Sequence, residues 1–197
     1  MSINAAPPAW AEAILRAVLT RANVETVSGD LLEEYREAVY PSRGPAAADR
    51  WYVMQVAGFA IRSVGVWGAL FGLSFLSRTA LDWFVPTSDF ANRSVFSSTV
   101  GIALLLLAGF WSAWRSGSVA AGTLAGTLAA TLGAAISLTG AASMLMLVHD
   151  PQTMHAIDAS GGLPEVFTLP LMLVLPGLVL GTVGGVLGAM ARRIPAH

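Results

Sequence analysis

The chain has no cysteine and no lysine, and it carries little charge of either sign. Without cysteine there is no disulfide framework, thiolate zinc site, iron–sulfur cluster or thiol nucleophile, whichever compartment its loops face. All eleven basic residues are arginine, a bias that reads as genome composition. Charged residues make up 12% of the chain and hydrophobic ones 55%, where a soluble domain holds roughly 25% charge. The run from Trp10 to Leu19 is interrupted by Glu12 and Arg16, so no cleaved signal peptide is expected and this segment should stay on the mature protein.

What the chain does have is long apolar stretches. Ser118 to Val148 contains no charged residue and exceeds the roughly 20 residues that span a bilayer. Gly122, Gly126, Ala130 and Ala134 place a small residue at every fourth position of that stretch, and Gly133 and Gly140 add further thin places. Lipid supplies no hydrophobic force between helices, so close backbone approach over small residues becomes a main source of packing energy. Three more spans are predicted, at about 53–77, 94–114 and 166–191, with the central one at 118–148. Trp51 and Tyr52 stand at the entry to the first span, and Trp111 and Trp114 flank the end of the second, in the belt positions of amphipathic rings. The tight Arg115-Ser116-Gly117 connection makes the second and third spans antiparallel neighbours. The fourth contains Pro170 and Pro176, which predict a kink with carbonyls near Val166 and Met172 satisfied by other means. It also bears a ladder of Gly177, Gly181, Gly185 and Ala189, the natural partner of the ladder on the third span.

Arg62 is the unusual residue of the membrane part. It lies sixteen positions before Arg78, or roughly 24 Å of helix at 1.5 Å per residue. Two readings stand: a pair of snorkelling arginines, one at each face, or an Arg62 paired with a partner subunit or a lipid phosphate.

The first fifty residues differ in character. Pro7-Pro8 precedes an amphipathic helix to about Arg21 with Trp10, Ile14, Ala17 and Val18 on one face and Glu12 four residues before Arg16. A second helix is predicted from Val24 to Tyr40, striped by Val24, Val27, Leu31, Tyr35 and Ala38 and ended by Pro41 and Ser42-Arg43-Gly44-Pro45. A third begins near Ala46 and runs unbroken into the first span. The division is thus 1–50, a helical prefix region, and 51–197, a four-span bundle. With the N-terminus cytoplasmic, nine arginines lie inside and only Arg78 and Arg93 outside, which by the positive-inside rule sets both termini in the cytoplasm. The fold expected is all-α: a small cytoplasmic helical region on a four-helix transmembrane bundle.

Chemistry is sparse. The polar 149–164 loop holds His149, Asp150, His155 and Asp158, but their spacing matches no metal motif. The spans carry no Asp, Glu, Lys or His away from their ends, where proton relays and ion-coupled transporters mark their paths. The hydroxyls Thr123, Thr127, Thr131, Ser137 and Thr139 fit bonds within their own helix or across a packing seam. No glycine-rich phosphate loop is present, so an ATPase motor would have to be another chain.

One pattern goes further. Pro7-Pro8, Gly29-Asp30-Leu31, Glu33-Glu34-Tyr35-Arg36, then Arg50-Trp51-Tyr52 and Gln55 follow one another in order. This stretch resembles the cytoplasmic prefix domain ahead of permeases in the acidobacterial-type duplicated permease family, membrane subunits of macrolide-exporter-class ABC systems. The resemblance covers about a quarter of the chain, and there is no room for that family's large extracytoplasmic domain. It implies the bacterial inner membrane and a link to export, and it carries over no catalytic residue. Physically, Asp30, Glu33 and Glu34 form an acidic cluster beside Gly29, suited to choosing a partner.

The function expected is a non-enzymatic accessory or assembly subunit, such as a structural subunit of a larger inner-membrane complex, whose glycine ladders and kinked fourth span pack on other membrane proteins or a second copy and whose prefix helices dock in the cytoplasm, with lipids as further partners, no cofactor and no nucleic acid. The alternatives are a small permease component working with a separate ATPase, and a membrane-bound sensor signalling through the prefix.

Overall fold

The computed structural model describes residues 5–85, 87, 90–148, 150–159 and 162–193. Every regular element among them is helical. α1 (Ala9–Val18) and α2 (Arg21–Glu34) are followed by a widened π turn (Tyr35–Val39), the short α3 (Tyr40–Arg43) and then α4 (Pro45–Phe84). α5 (Phe90–Ser116), α6 (Val119–Leu147), α7 (Pro151–Ala159), α8 (Gly162–Met172) and α9 (Val174–Ala191) complete the chain. Four helices, with α8 and α9 counted as one, are long and apolar enough to cross a membrane. The protein is therefore an all-helical multi-pass membrane protein.

The N-terminal region departs from simple helical periodicity for a physical reason. Pro41 has no N–H, and in a regular helix its ring would strike the carbonyl four residues back. The π turn just before it re-routes the ladder, and Tyr40 N–H bonds back to the Tyr35 carbonyl. A helix predicted to stop at Tyr40 thus runs on to Arg43, where Gly44 at φ +77° turns the chain into α4. The extra residue in the widened turn also shifts the apolar stripe. Leu31, Tyr35 and Val39 are buried while Ala38, expected on the stripe, is exposed. On α1 the buried positions are Ala11 and Leu15, and Trp10, expected inward, is 58% exposed.

α4 has 40 residues, roughly 60 Å at 1.5 Å per residue and about twice a bilayer core. Its first turns belong to the N-terminal core, where Ala48, Tyr52 and Val56 pack with Leu15, Leu31 and Tyr35. Beyond them α6 takes the middle of the bundle, with α4, α5 and α9 packed around it. The centre is filled by Val64, Phe71, Phe75, Leu105, Ala129 and Ala130. The large side chains of α9, among them Leu175, Val179, Val183 and Leu187, point outward, while Gly177, Gly181, Gly184 and Gly185 are buried. Lipid is as apolar as leucine, so the bundle gains by turning its thin faces inward.

One end of the bundle carries the N-terminal helices, the α5–α6 turn at Gly117 and the end of α9, whose Arg192 Nη1 donates to the Arg115 carbonyl at 3.0 Å. The opposite end is closed by a small cluster of Trp83, Ala141 and Ile157. Ile157 sits on α7, inside the stretch expected to be a polar loop. Asp150 accepts the Thr153 amide at 2.8 Å and starts this helix, a capping signal that the sequence carried as Asp-Pro before Met154 and Ile157. The fourth span is interrupted at Leu173, between Pro170 and Pro176.

Candidate functional site

The polar groups of the N-terminal unit converge on Glu12. Its carboxylate accepts from Ser28 Oγ at 2.5 Å, from Arg16 Nε at 2.8 Å and from the Tyr52 hydroxyl. Burial pushes the Glu12 carboxyl up, but the hydrogen bonds from Ser28 and Tyr52, with Arg16 beside it, outweigh that and hold it below the usual carboxylate range. Tyr35 stands edge-on to Tyr52 at 5.9 Å and donates to Asp49 Oδ1 at 2.6 Å. Burial and the Asp49 carboxylate raise the Tyr35 hydroxyl to about 12. Arg36 Nε donates to the Ala5 carbonyl at 2.8 Å and ties down the segment entering α1.

The residues of the prefix-like pattern therefore divide. Leu31, Tyr35, Arg36 and Tyr52 build the N-terminal core, and Trp51 and Gln55 are half-buried beside it. Gly29, Asp30, Glu33 and Glu34 are exposed on α2, together with Glu25, and Glu37 is exposed on the π turn that follows. None of these five acids makes an ion pair or hydrogen bond with the described residues. A Cβ added at Gly29 would meet nothing within 4 Å.

The small-residue ladders, expected to pack on a partner or a second copy, are instead covered within the chain. A Cβ built on Gly126 would lie 2.5 Å from the Gly177 carbonyl oxygen and 2.5 Å from Gly181 Cα. One on Gly122 would lie 2.5 Å from Gly185 Cα, and one on Gly177 would lie 2.6 Å from Ala130 Cβ. Ala134 is buried on the same helix. Gly68 meets the Leu132 side chain and Gly72 meets the Gly133 backbone, while Gly65 faces open space. The threonine row is also spent locally. Thr123 and Thr182 share a hydrogen bond of 2.8 Å across the α6–α9 seam, and Thr127, Thr131 and Thr139 donate to carbonyls of their own helix.

Arg78, expected to snorkel, does not. Its side chain is 9% exposed, and its Nε lies 3.3 Å from Oδ2 of Asp82, which is 7% exposed. Arg93 Nη1 stands 3.5 Å from the other Asp82 oxygen and donates to the carbonyls of Leu81 and Val85. It therefore caps the last turn of α4 with positive charge. α8 folds over this ion pair through Val166, Leu169 and Pro170, closing a cavity of about 30 Å³ in which the Trp83 indole N–H has no acceptor among the described residues. Asp82 lies beyond the predicted first span, and sequence reasoning missed its burial; the Arg-x-x-x-Asp spacing was the available signal.

Arg62 has a different setting. With Ser63 and Trp67 it lines a cavity of about 240 Å³ between the α1–α2 corner, α4 and α5. Thr20 and Asn23 form the wall from the corner; Trp111 and Arg115 form the wall from α5. Ala108 and Ala125, at the edge of the packed centre, close its floor. Arg62 and Arg115 thus lie at one level, the end of the second span, and among the described residues no acid lines the cavity.

Of the loop residues weighed for a metal, His149 lies outside the described residues, Asp150 caps α7, and His155 and Asp158 are exposed on it. No group of three or more metal-type ligands occurs among the described residues. Compared with protein families, with curated proteins and with solved structures, the chain matches none.

Proposed function

We propose that the protein is a non-enzymatic accessory subunit of a bacterial inner-membrane complex, with a self-packed bundle as its anchor and α2 as its docking face. The observation that carries this reading is the uncompensated acid of α2 and the turn after it: Glu25, Asp30, Glu33, Glu34 and Glu37 are exposed and make no ion pair with a described residue. Surface ion pairs contribute little to folding, so a dense charged face serves partner choice better than stability. Acid on that face is repelled by an anionic leaflet, and with the N-terminus cytoplasmic it turns from the membrane toward a protein with a basic surface. Gly29, open on the same face, leaves room for a partner's backbone. The prefix-like pattern supports a link to an export assembly.

The test is purification of the full-length protein from native membranes in mild detergent, followed by native mass spectrometry. A partner chain held at fixed stoichiometry, and lost in Asp30→Arg/Glu33→Arg/Glu34→Arg while the fold persists, is the expected result. A lone monomer, or a partner indifferent to the reversal, counts against docking through α2.

A permease component working with a separate ATPase is the second reading, and the polar cavity at Arg62 is what favours it. The cavity ends at Ala108 and Ala125 under a packed centre, so conduction requires α4, α5 and α6 to part.

A further inference from the structure

The Arg62 cavity is lined by two arginines and, among the described residues, by no acid. Neither Arg62 nor Arg115 makes an ion pair with the described residues. Glu12, the carboxylate of the neighbouring N-terminal core, is already engaged by Ser28, Tyr52 and Arg16. Both arginines are exposed and line one open, polar cavity, and an anion between two like charges turns their repulsion into attraction. Arginine's planar fork suits an oxyanion with several acceptors, above all a phosphate, which it grips through paired N–H groups.

The remaining lining fits the same ligand. Thr20, Asn23 and Ser63 also line it, and their side chains make no hydrogen bond to any described residue. Ser112 and Ser116 spend theirs on the Ala121 and Ser112 carbonyls. Trp67 and Trp111 border the opening, and indoles settle at the headgroup level of a bilayer. Arg115 marks the end of the second span, so the cavity lies where lipid phosphates lie.

We infer that this cavity is a binding site for a phosphate-bearing anion, held between Arg62 and Arg115 and supplied by the headgroup of an anionic phospholipid. Because Val18, Leu19, Thr20 and Asn23 form one wall while α4 and α5 form others, the bound headgroup clamps the N-terminal unit to the bundle. The site stands independently of docking through α2.

The test uses the full-length protein in a non-ionic detergent, titrated with phosphatidylglycerol or with phosphatidylcholine of the same chains and read by native mass spectrometry. One phosphatidylglycerol should be retained about 10-fold more tightly than phosphatidylcholine, and Arg62→Gln and Arg115→Gln should each weaken it by roughly 10-fold. Arg62→Lys, which keeps the charge and loses the fork, should fall between, and Arg43→Gln on the exposed end of α3 should bind as the parent does. A competition arm with millimolar glycerol 3-phosphate separates the sources: displacement assigns the same site to a soluble phosphate, and persistence assigns it to the lipid. In nanodiscs of either lipid, amide exchange over residues 18–23 gives a readout that needs no variant, and phosphatidylglycerol should slow it several-fold. Equal retention of the two lipids, or Gln variants that bind like the parent, overturns the proposal.

Discussion

Replacing Gly126 by alanine tests the packing argument most directly. The new methyl would stand 2.5 Å from both the Gly177 carbonyl oxygen and Gly181 Cα, and 2.9 Å from Gly181 N. Ordinary contact between such atoms is about 3.5–4.0 Å, so α6 and α9 must part by roughly 1 Å. Every obstructing atom is backbone, and no rotamer change relieves the clash. Overpacking costs about 1–3 kcal/mol, with the upper end fitting a rigid neighbour, and alanine returns about 1 kcal/mol through helix propensity. The net loss of about 2 kcal/mol is a factor of roughly 30 in the folding equilibrium. Gly65→Ala, which meets nothing within 4 Å, should instead be neutral or stabilising by up to about 1 kcal/mol. Gly68→Ala should cost less than Gly126→Ala, because the atoms in its way belong to the Leu132 side chain. Gly126→Ala with Gly181→Ala should cost less than the sum of the two, since both wedge one seam open. Reversible unfolding of the purified protein by sodium dodecyl sulfate, followed by circular dichroism, measures all four. A Gly126→Ala protein as stable as the parent, or indistinguishable from Gly65→Ala, would refute the seam.

Three further outcomes follow from the ion pairs and hydrogen bonds. Asp82→Ala removes the carboxylate that Arg78 and Arg93 share and should cost about 1–3 kcal/mol in the same unfolding assay, while Arg78→Leu with Asp82→Leu should recover part of that loss. Glu12 has a lowered folded-state pKa, so the stability it adds is complete above its ordinary carboxylate value and disappears as pH falls through the lower folded one. Thermal melts between pH 6 and pH 3 should lose that part of their acid sensitivity in Glu12→Gln. Tyr35 behaves in the opposite sense. Its hydroxyl is raised from 10.0 to about 12, so its contribution is intact below pH 10, fades as pH climbs to 12, and is absent at all pH in Tyr35→Phe, which melts over pH 9–12 would register.

The sequence by itself determined the number of membrane-length helices, the all-α class and the unbroken run from the prefix into the first span, because apolar length and helix-breaking residues are local quantities. It also held both glycine ladders, since a four-residue repeat is visible without coordinates. Tertiary structure decided what those features meet. Gly126 faces Gly181 of the same chain because the fourth span folds back beside the third, and nothing local in either segment says whose backbone will cover it. The inward turn of Val39 in place of Ala38 depended on a π turn whose hydrogen bonds reach five residues back. Arg62 and Arg78 are alike as letters in an apolar run; one lines an open polar cavity and the other is buried against Asp82. That difference comes from the elements laid over them, the α1–α2 corner above Arg62 and α8 across Arg78, and a charge in a membrane protein is defined by its neighbours in space.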